Sequence, residues 1–75
     1  MPADVIQWTE VRSSNVARFR YAEAEKVLDI QFVNSFDTYS YDEVPKEVAA
    51  ALGTSVSPGQ YFRNYIKNRY RFYKS

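Results

Sequence analysis

The stretch VLDIQFVNSFDTYSY, residues 27–41, decides the fold. From Val27 to Val33 apolar and polar residues alternate, with Leu28, Ile30 and Phe32 on one side and Asp29 and Gln31 on the other. A two-residue period of this kind marks a strand with one buried face. Asn34-Ser35 is a turn signal, and Phe36 to Asp42 resumes the alternation. There Tyr39 and Tyr41 share one face, and Thr38 and Ser40 share the other.

Upstream, the pattern appears a third time. In Val16 to Tyr21, Ala17, Phe19 and Tyr21 face one way and Arg18 and Arg20 the other, and Ala22 to Lys26 forms the turn into the next strand. Three consecutive strands with short links make an antiparallel meander. Ser13-Ser14-Asn15 is a polar cluster that punctuates the chain before it. Residues 1–10 read as an N-terminal arm or an edge strand. Val5 to Val11 alternates weakly, with Ile6 and Trp8 on one side, and Trp8 is expected to cover the core.

Downstream, the period changes. Pro45 ends the strands and suits the first turn of a helix. Lys46 to Leu52 follows, with Val48, Ala51 and Leu52 on one side and Gly53 as the stop. Ser57-Pro58-Gly59-Gln60 is a stronger start signal, combining an N-cap serine, a proline at the first position and a capping-box glutamine. This helix is expected from Pro58 to about Asn68, with Phe62 and Ile66 one turn apart on its buried side. Tyr70 to Lys74 alternates again, as a short strand or an extended tail. The expected fold is α+β: a three-stranded antiparallel meander followed by two helices packed on one face, with a short C-terminal extension. It forms one domain with its core at about residues 11–73.

Composition narrows the chemistry. The 75 residues contain no Cys and no His. Disulfides, thiolate ligands and the usual zinc sites are excluded, so no metal or other cofactor is expected. So are a Ser–His–Asp triad, a Cys–His pair and a His general base. Asp42, Glu43 and Glu47 lie around a helix start, where acids suit the helix dipole. The chain reads as a non-enzyme. It holds 7 Tyr, 5 Phe and 1 Trp, which supply the core that a short chain otherwise lacks. No segment has the roughly 20 apolar residues of a membrane span. MPADVIQWTE lacks the basic start and apolar run of a signal peptide, so a cytoplasmic location is expected.

Charge is polarised along the chain. Glu47 is the last acidic residue; beyond it stand Arg63, Lys67, Arg69, Arg71 and Lys74. The preceding segment holds all nine acids. Tyr61, Phe62, Tyr65, Tyr70, Phe72 and Tyr73 crowd into the same basic stretch. Cations among flat rings suit a phosphate backbone and unstacked bases.

The order Ser13-Ser14-Asn15, then Tyr39-x-Tyr41, then Ser57-x-Gly59-x-Tyr61-Phe62-x-x-x-Ile66-Lys67-x-x-Tyr70 resembles the KTSC domain. That family is named from a module at the C-terminus of some lysyl-tRNA synthetases, and it also occurs as small stand-alone bacterial and phage proteins. The resemblance runs from about Val11 to Tyr73. It implies a module without an established activity and with a suggested link to RNA. Two positions depart from the family pattern. Pro58 stands where Lys is common, removing a charge beside the helix start, and Arg71 stands where Pro is common, adding one.

Several features carry two readings. Arg63, Lys67 and Arg71 form either a track for a phosphate backbone or a solvated helix face. Tyr39 and Tyr41 either stack bases, as in RNA-recognition sheets, or form core. The Ser57-Pro58-Gly59 corner either binds an anion or caps its helix. Ser13-Ser14-Asn15 has no base to activate a serine and reads as a turn. The expected function is binding of RNA or single-stranded nucleic acid through Arg63, Lys67, Arg69 and Arg71, with a ring among Tyr61, Tyr65 and Tyr73 stacking on a base. The alternative is a protein-interaction module whose basic face docks an acidic partner, or another copy's acids at Glu23, Glu25, Asp29, Asp37 and Asp42.

Overall fold

The computed structural model describes residues 7–74. The elements are β1 (Thr9–Glu10), β2 (Val16–Ala22), β3 (Val27–Phe32), β4 (Thr38–Tyr41), α1 (Lys46–Thr54), α2 (Pro58–Tyr65) and β5 (Phe72–Lys74). The fold is α+β, and its sheet has five antiparallel strands in the order β1-β2-β3-β4-β5, not three. The expected meander is the middle of this sheet. A three-stranded sheet would leave long backbone edges on β2 and β4, and β1 and β5 pair with them. The segment after Tyr70 is therefore a strand and not a loose tail. Among the described residues of the N-terminal alternation, Thr9–Glu10 pairs as a strand; Val5 and Ile6 lie outside the described residues.

Register builds two unlike faces. Phe19 opposes Ile30, Ile30 opposes Tyr39, and the row Leu28, Tyr41 and Phe72 runs beside it. These residues face the helices. Leu28, Ile30, Val44, Leu52 and Ile66 are fully buried. The phase of β2 departs from strict alternation. Val16 pairs with Phe32 while Arg18 pairs with Gln31, which leaves Ala17 as an extra residue. This bulge turns Val16 into the core in place of Ala17.

Both helices depart in detail from the expected ones. In α1 the buried residues are Ala49 and Leu52, with Val48 and Ala51 at their margin. Gly53 does not stop α1, which continues to Thr54. A Cβ at Gly53 would lie 3.0 Å from Cζ of Phe19, so the glycine lets the helix approach that ring. Ser57 occupies the N-cap position of α2, but its hydroxyl makes no capping bond and the box with Gln60 does not form. The helix ends at Tyr65, one turn before Asn68. The N–H groups of Ile66 and Lys67 both donate to the Phe62 carbonyl, each at 2.9 Å. Asn68 then takes φ 67°, a left-handed conformation that Asn tolerates better than most residues, and the chain returns to the sheet. Phe62 and Ile66 are both buried, on the face their spacing predicts.

Candidate nucleic-acid interface

The scattered polar motif residues have a structural use. Oγ of Ser13 accepts bonds from the N–H groups of Asn15 at 3.0 Å and Val16 at 3.2 Å, which closes the turn before β2. The Val33 N–H donates to the Asn15 carbonyl at 2.8 Å and ties that turn to the end of β3. Gly59 rests on the same turn. A Cβ there would stand 3.0 Å from Cβ of Asn15 and 3.0 Å from Oγ of Ser13. Ser14 is exposed, and Ile66 and Tyr70 pack toward the core.

This docking brings the Asn15 side chain, the end of α2 and the inner face of β4 and β5 around one groove of about 460 Å³. Its walls are rings. Phe32 meets Tyr39 edge-on at 5.3 Å between centroids and Phe62 at 5.1 Å. Tyr41 meets Phe62 at 5.6 Å and stacks on Phe72 at 5.3 Å, and Phe72 lies 5.8 Å from Tyr39. Phe72 keeps about half of its surface in solvent. Besides the tyrosine hydroxyls, the polar residues at the groove are Asn15, Ser35, Lys67 and Asn68, and among the described residues no carboxylate lines it. Burial, and then the neighbouring Tyr39, push the Tyr41 phenol up to about 12, so its hydroxyl stays a neutral donor. Tyr39 and Tyr41 thus serve as core and as groove wall at once.

Arg63, Lys67, Arg69 and Arg71 are all exposed, and none forms an ion pair among the described residues. The early end of α2 breaks the expected Arg63–Lys67–Arg71 stripe. Lys67 joins the aromatic groove, whereas Arg69 and Arg71 line a separate hollow of about 350 Å³ shared with Asp42, Glu43 and Tyr70. The candidate stacking rings also separate. Tyr61 and Tyr65 pair with each other at 4.8 Å on α2, and Tyr73 opposes Ser40 on the far face of the sheet. Burial raises the Tyr61 phenol above its ordinary value, as do Tyr65 and Tyr70.

The far face closes upon itself. Nε of Arg20 donates to Oδ2 of Asp29 at 2.8 Å, and Oγ of Ser40 donates to Oδ1 of the same carboxylate at 2.7 Å. Nε of Arg18 donates to Oε1 of Gln31 at 2.7 Å, and Nε2 of Gln31 passes a bond to Oγ1 of Thr38. Both guanidinium groups lie over the Trp8 ring, at 4.6 and 4.4 Å. Trp8 therefore covers the outer arginines and not the core, because strand pairing sets it on their side. The acids are dispersed: Glu23 lies 3.9 Å from Lys46, and Asp37 lies 3.8 Å from Lys74. Among the described residues no three acidic side chains gather where a metal ion could be held.

The sequence singles out Asn15, Tyr39, Tyr41, Phe62 and Lys67 but not their convergence. It places Phe32 on a buried strand face, Ser35 in a turn, Asn68 at a helix end and Phe72 among the rings of the basic stretch, and assigns none of the four to a site. The available signal was that four dispersed motif residues, Asn15, Tyr39, Tyr41 and Phe62, had no single local explanation.

A family model for the KTSC domain matches residues 12–70. Over 59 residues the chain is 34% identical to the lysine–tRNA ligase of Nostoc punctiforme and 32% identical to that of Trichormus variabilis. Each alignment covers 79% of this chain and 10% of the relative, so the chain spans about a tenth of the length of these curated relatives. A crystal structure of a KTSC domain protein from Yersinia pestis is similar with a TM-score of 0.88 at 30% identity, covering 95% of this chain and 99% of that one.

Proposed function

The chain belongs to the KTSC domain family, and we propose that it is a non-catalytic module that binds RNA or single-stranded nucleic acid. The observation that carries this reading is the set Arg63, Lys67, Arg69 and Arg71, exposed and without ion pairs among the described residues, with Lys67 at the ring-walled groove. Phosphate contacts supply most sequence-independent affinity, and rings supply stacking. The relatives named as lysine–tRNA ligases point to the same class of partner. Asp42 and Glu43 face Arg69 and Arg71, so Arg63 and Lys67 are the principal phosphate contacts.

Binding is weak and falls steeply with salt. Anisotropy titrations of short labelled single strands, from low to physiological salt, measure it. Each phosphate contact contributes about −0.7 to the slope of log affinity against log salt, so Arg63→Gln with Lys67→Gln flattens the slope by about 1.4. A folded protein that binds no oligonucleotide at low salt would overturn the proposal. Concentration-dependent self-association without nucleic acid would favour docking between basic and acidic protein surfaces.

A further inference from the structure

The groove and the exposed cations need not serve one contact, and the groove has features of its own. We infer that it receives one unstacked base of a single-stranded chain, with Lys67 holding a phosphate of that strand at the rim. This rests on the nucleic-acid reading above and assigns it a site and a stoichiometry: one base per groove.

The chemistry of the lining selects the occupant. A volume of about 460 Å³ falls within the ~300–1,000 Å³ of small-ligand clefts. Phe72 offers a half-exposed ring, held in place by its stack on Tyr41. A flat heterocycle gains more from such a wall than a branched aliphatic side chain does, because stacking uses the whole ring face. The amides of Asn15 and Asn68 each present donors and an acceptor, the pairing capacity that base edges require. Among the described residues Lys67 is the single charged one at the groove. A cation without an opposing acid favours an anionic ligand. The hollow beside Arg69 and Arg71 contains Asp42 and Glu43 and lacks that bias.

The left-handed conformation of Asn68 provides a clean variant. Glycine adopts φ 67° freely, so Asn68→Gly removes the amide and keeps the turn. Phe72→Ala removes an exposed wall on a three-residue edge strand. Far-UV circular dichroism and melting temperature verify that both variants fold. The probes are a short labelled RNA of mixed sequence and the same ribose-phosphate chain with every base removed. The parent is expected to bind the intact strand about 10-fold more tightly than the abasic strand. Phe72→Ala should erase that difference and leave the salt slope unchanged. Asn68→Gly should reduce it several-fold, with the abasic strand unaffected. If both folded variants keep the parent's preference for the intact strand, the groove is not the base site, although the nucleic-acid reading stands. If the parent binds both strands equally, the base-site inference fails while phosphate binding survives. If the parent binds neither, both fail together.

Discussion

The two faces of the sheet contain similar materials and use them oppositely. The outer face has two arginines, a tryptophan and a tyrosine, ingredients that in sequence look as suited to nucleic acid as the basic tail. Yet Arg20 is bonded to Asp29, Arg18 to Gln31, and both guanidinium groups cover Trp8. The inner face has more rings and fewer charges, and its helices leave Phe72 and one side of Tyr39 and Tyr41 lining an open groove. Formal charge is therefore a poor guide to available charge. A cation committed to a carboxylate across two strands has little left for a phosphate, whereas Lys67 has no such partner among the described residues.

The comparison can be broken most directly from the inside. Phe62 joins α2 to Phe32 and Tyr41, so Phe62→Ala should cost about 3–5 kcal/mol in denaturant unfolding. That approaches the whole stability of a small domain. A loss below about 1 kcal/mol would mean that the inner rings are not a cooperative core.

On the outer face, Asp29→Ala removes two hydrogen bonds to a carboxylate and should cost about 1.5–3 kcal/mol. It also releases Arg20. The variant should then bind single strands with a salt slope steeper by about 0.7. An unchanged slope would show that the outer arginines are silent for reasons other than pairing.

Alkaline titration probes the inner face again. The folded Tyr41 phenol lies at about 12 against an ordinary 10.0. The native state therefore keeps a proton that the unfolded chain gives up. Its contribution is complete below pH 10 and is lost as pH rises through about 12, a fall on the order of 2 kcal/mol. Tyr41→Phe should make that fall shallower in unfolding measured across this range. Tyr21, raised chiefly by burial, acts with the same sign.

Two smaller effects test how α2 is attached. Gly59→Ala brings a methyl against Asn15 and a Ser13 hydroxyl already held by two N–H groups, and should cost about 1 kcal/mol by chemical denaturation. Ser57→Ala should change thermal stability by less than about 0.5 kcal/mol, because the hydroxyl makes no capping bond. A larger loss would restore Ser57 as a working cap.

The meander was legible because Leu28, Ile30 and Phe32 alternate cleanly with polar residues, and both helices announced themselves through Pro45 and Pro58. The bulge at Ala17 was not, since one inserted residue leaves no mark in composition. Phe62 and Ile66 revealed the buried side of α2, but its end at Tyr65 depends on a left-handed Asn68 that spacing does not encode. Gly53 looked like a stop because glycine often is one; here it makes room for the Phe19 ring. Three-residue alternation could not separate a strand from a tail in Phe72–Lys74. The groove draws Phe32, Tyr39, Phe62 and Phe72 from four elements or their ends, so only the completed sheet and α2 bring them together.

β5 also affects how copies of the molecule meet. It is three residues long, and its far side has no partner strand among the described residues. An uncovered edge bearing half-exposed Phe72 and Tyr73 is a template for sheet growth from one molecule to the next. Arg71 and Lys74 bracket those two rings, and like charges brought opposite one another across a new strand pair repel. A basic residue at each end of the strand thus opposes such growth, Arg71 the more so because Lys74 also reaches Asp37 at 3.8 Å. Neutralising both positions would remove the repulsion while leaving the Phe-Tyr edge intact, and concentrated solutions of that variant would lose solubility through the sheet's own hydrogen bonding.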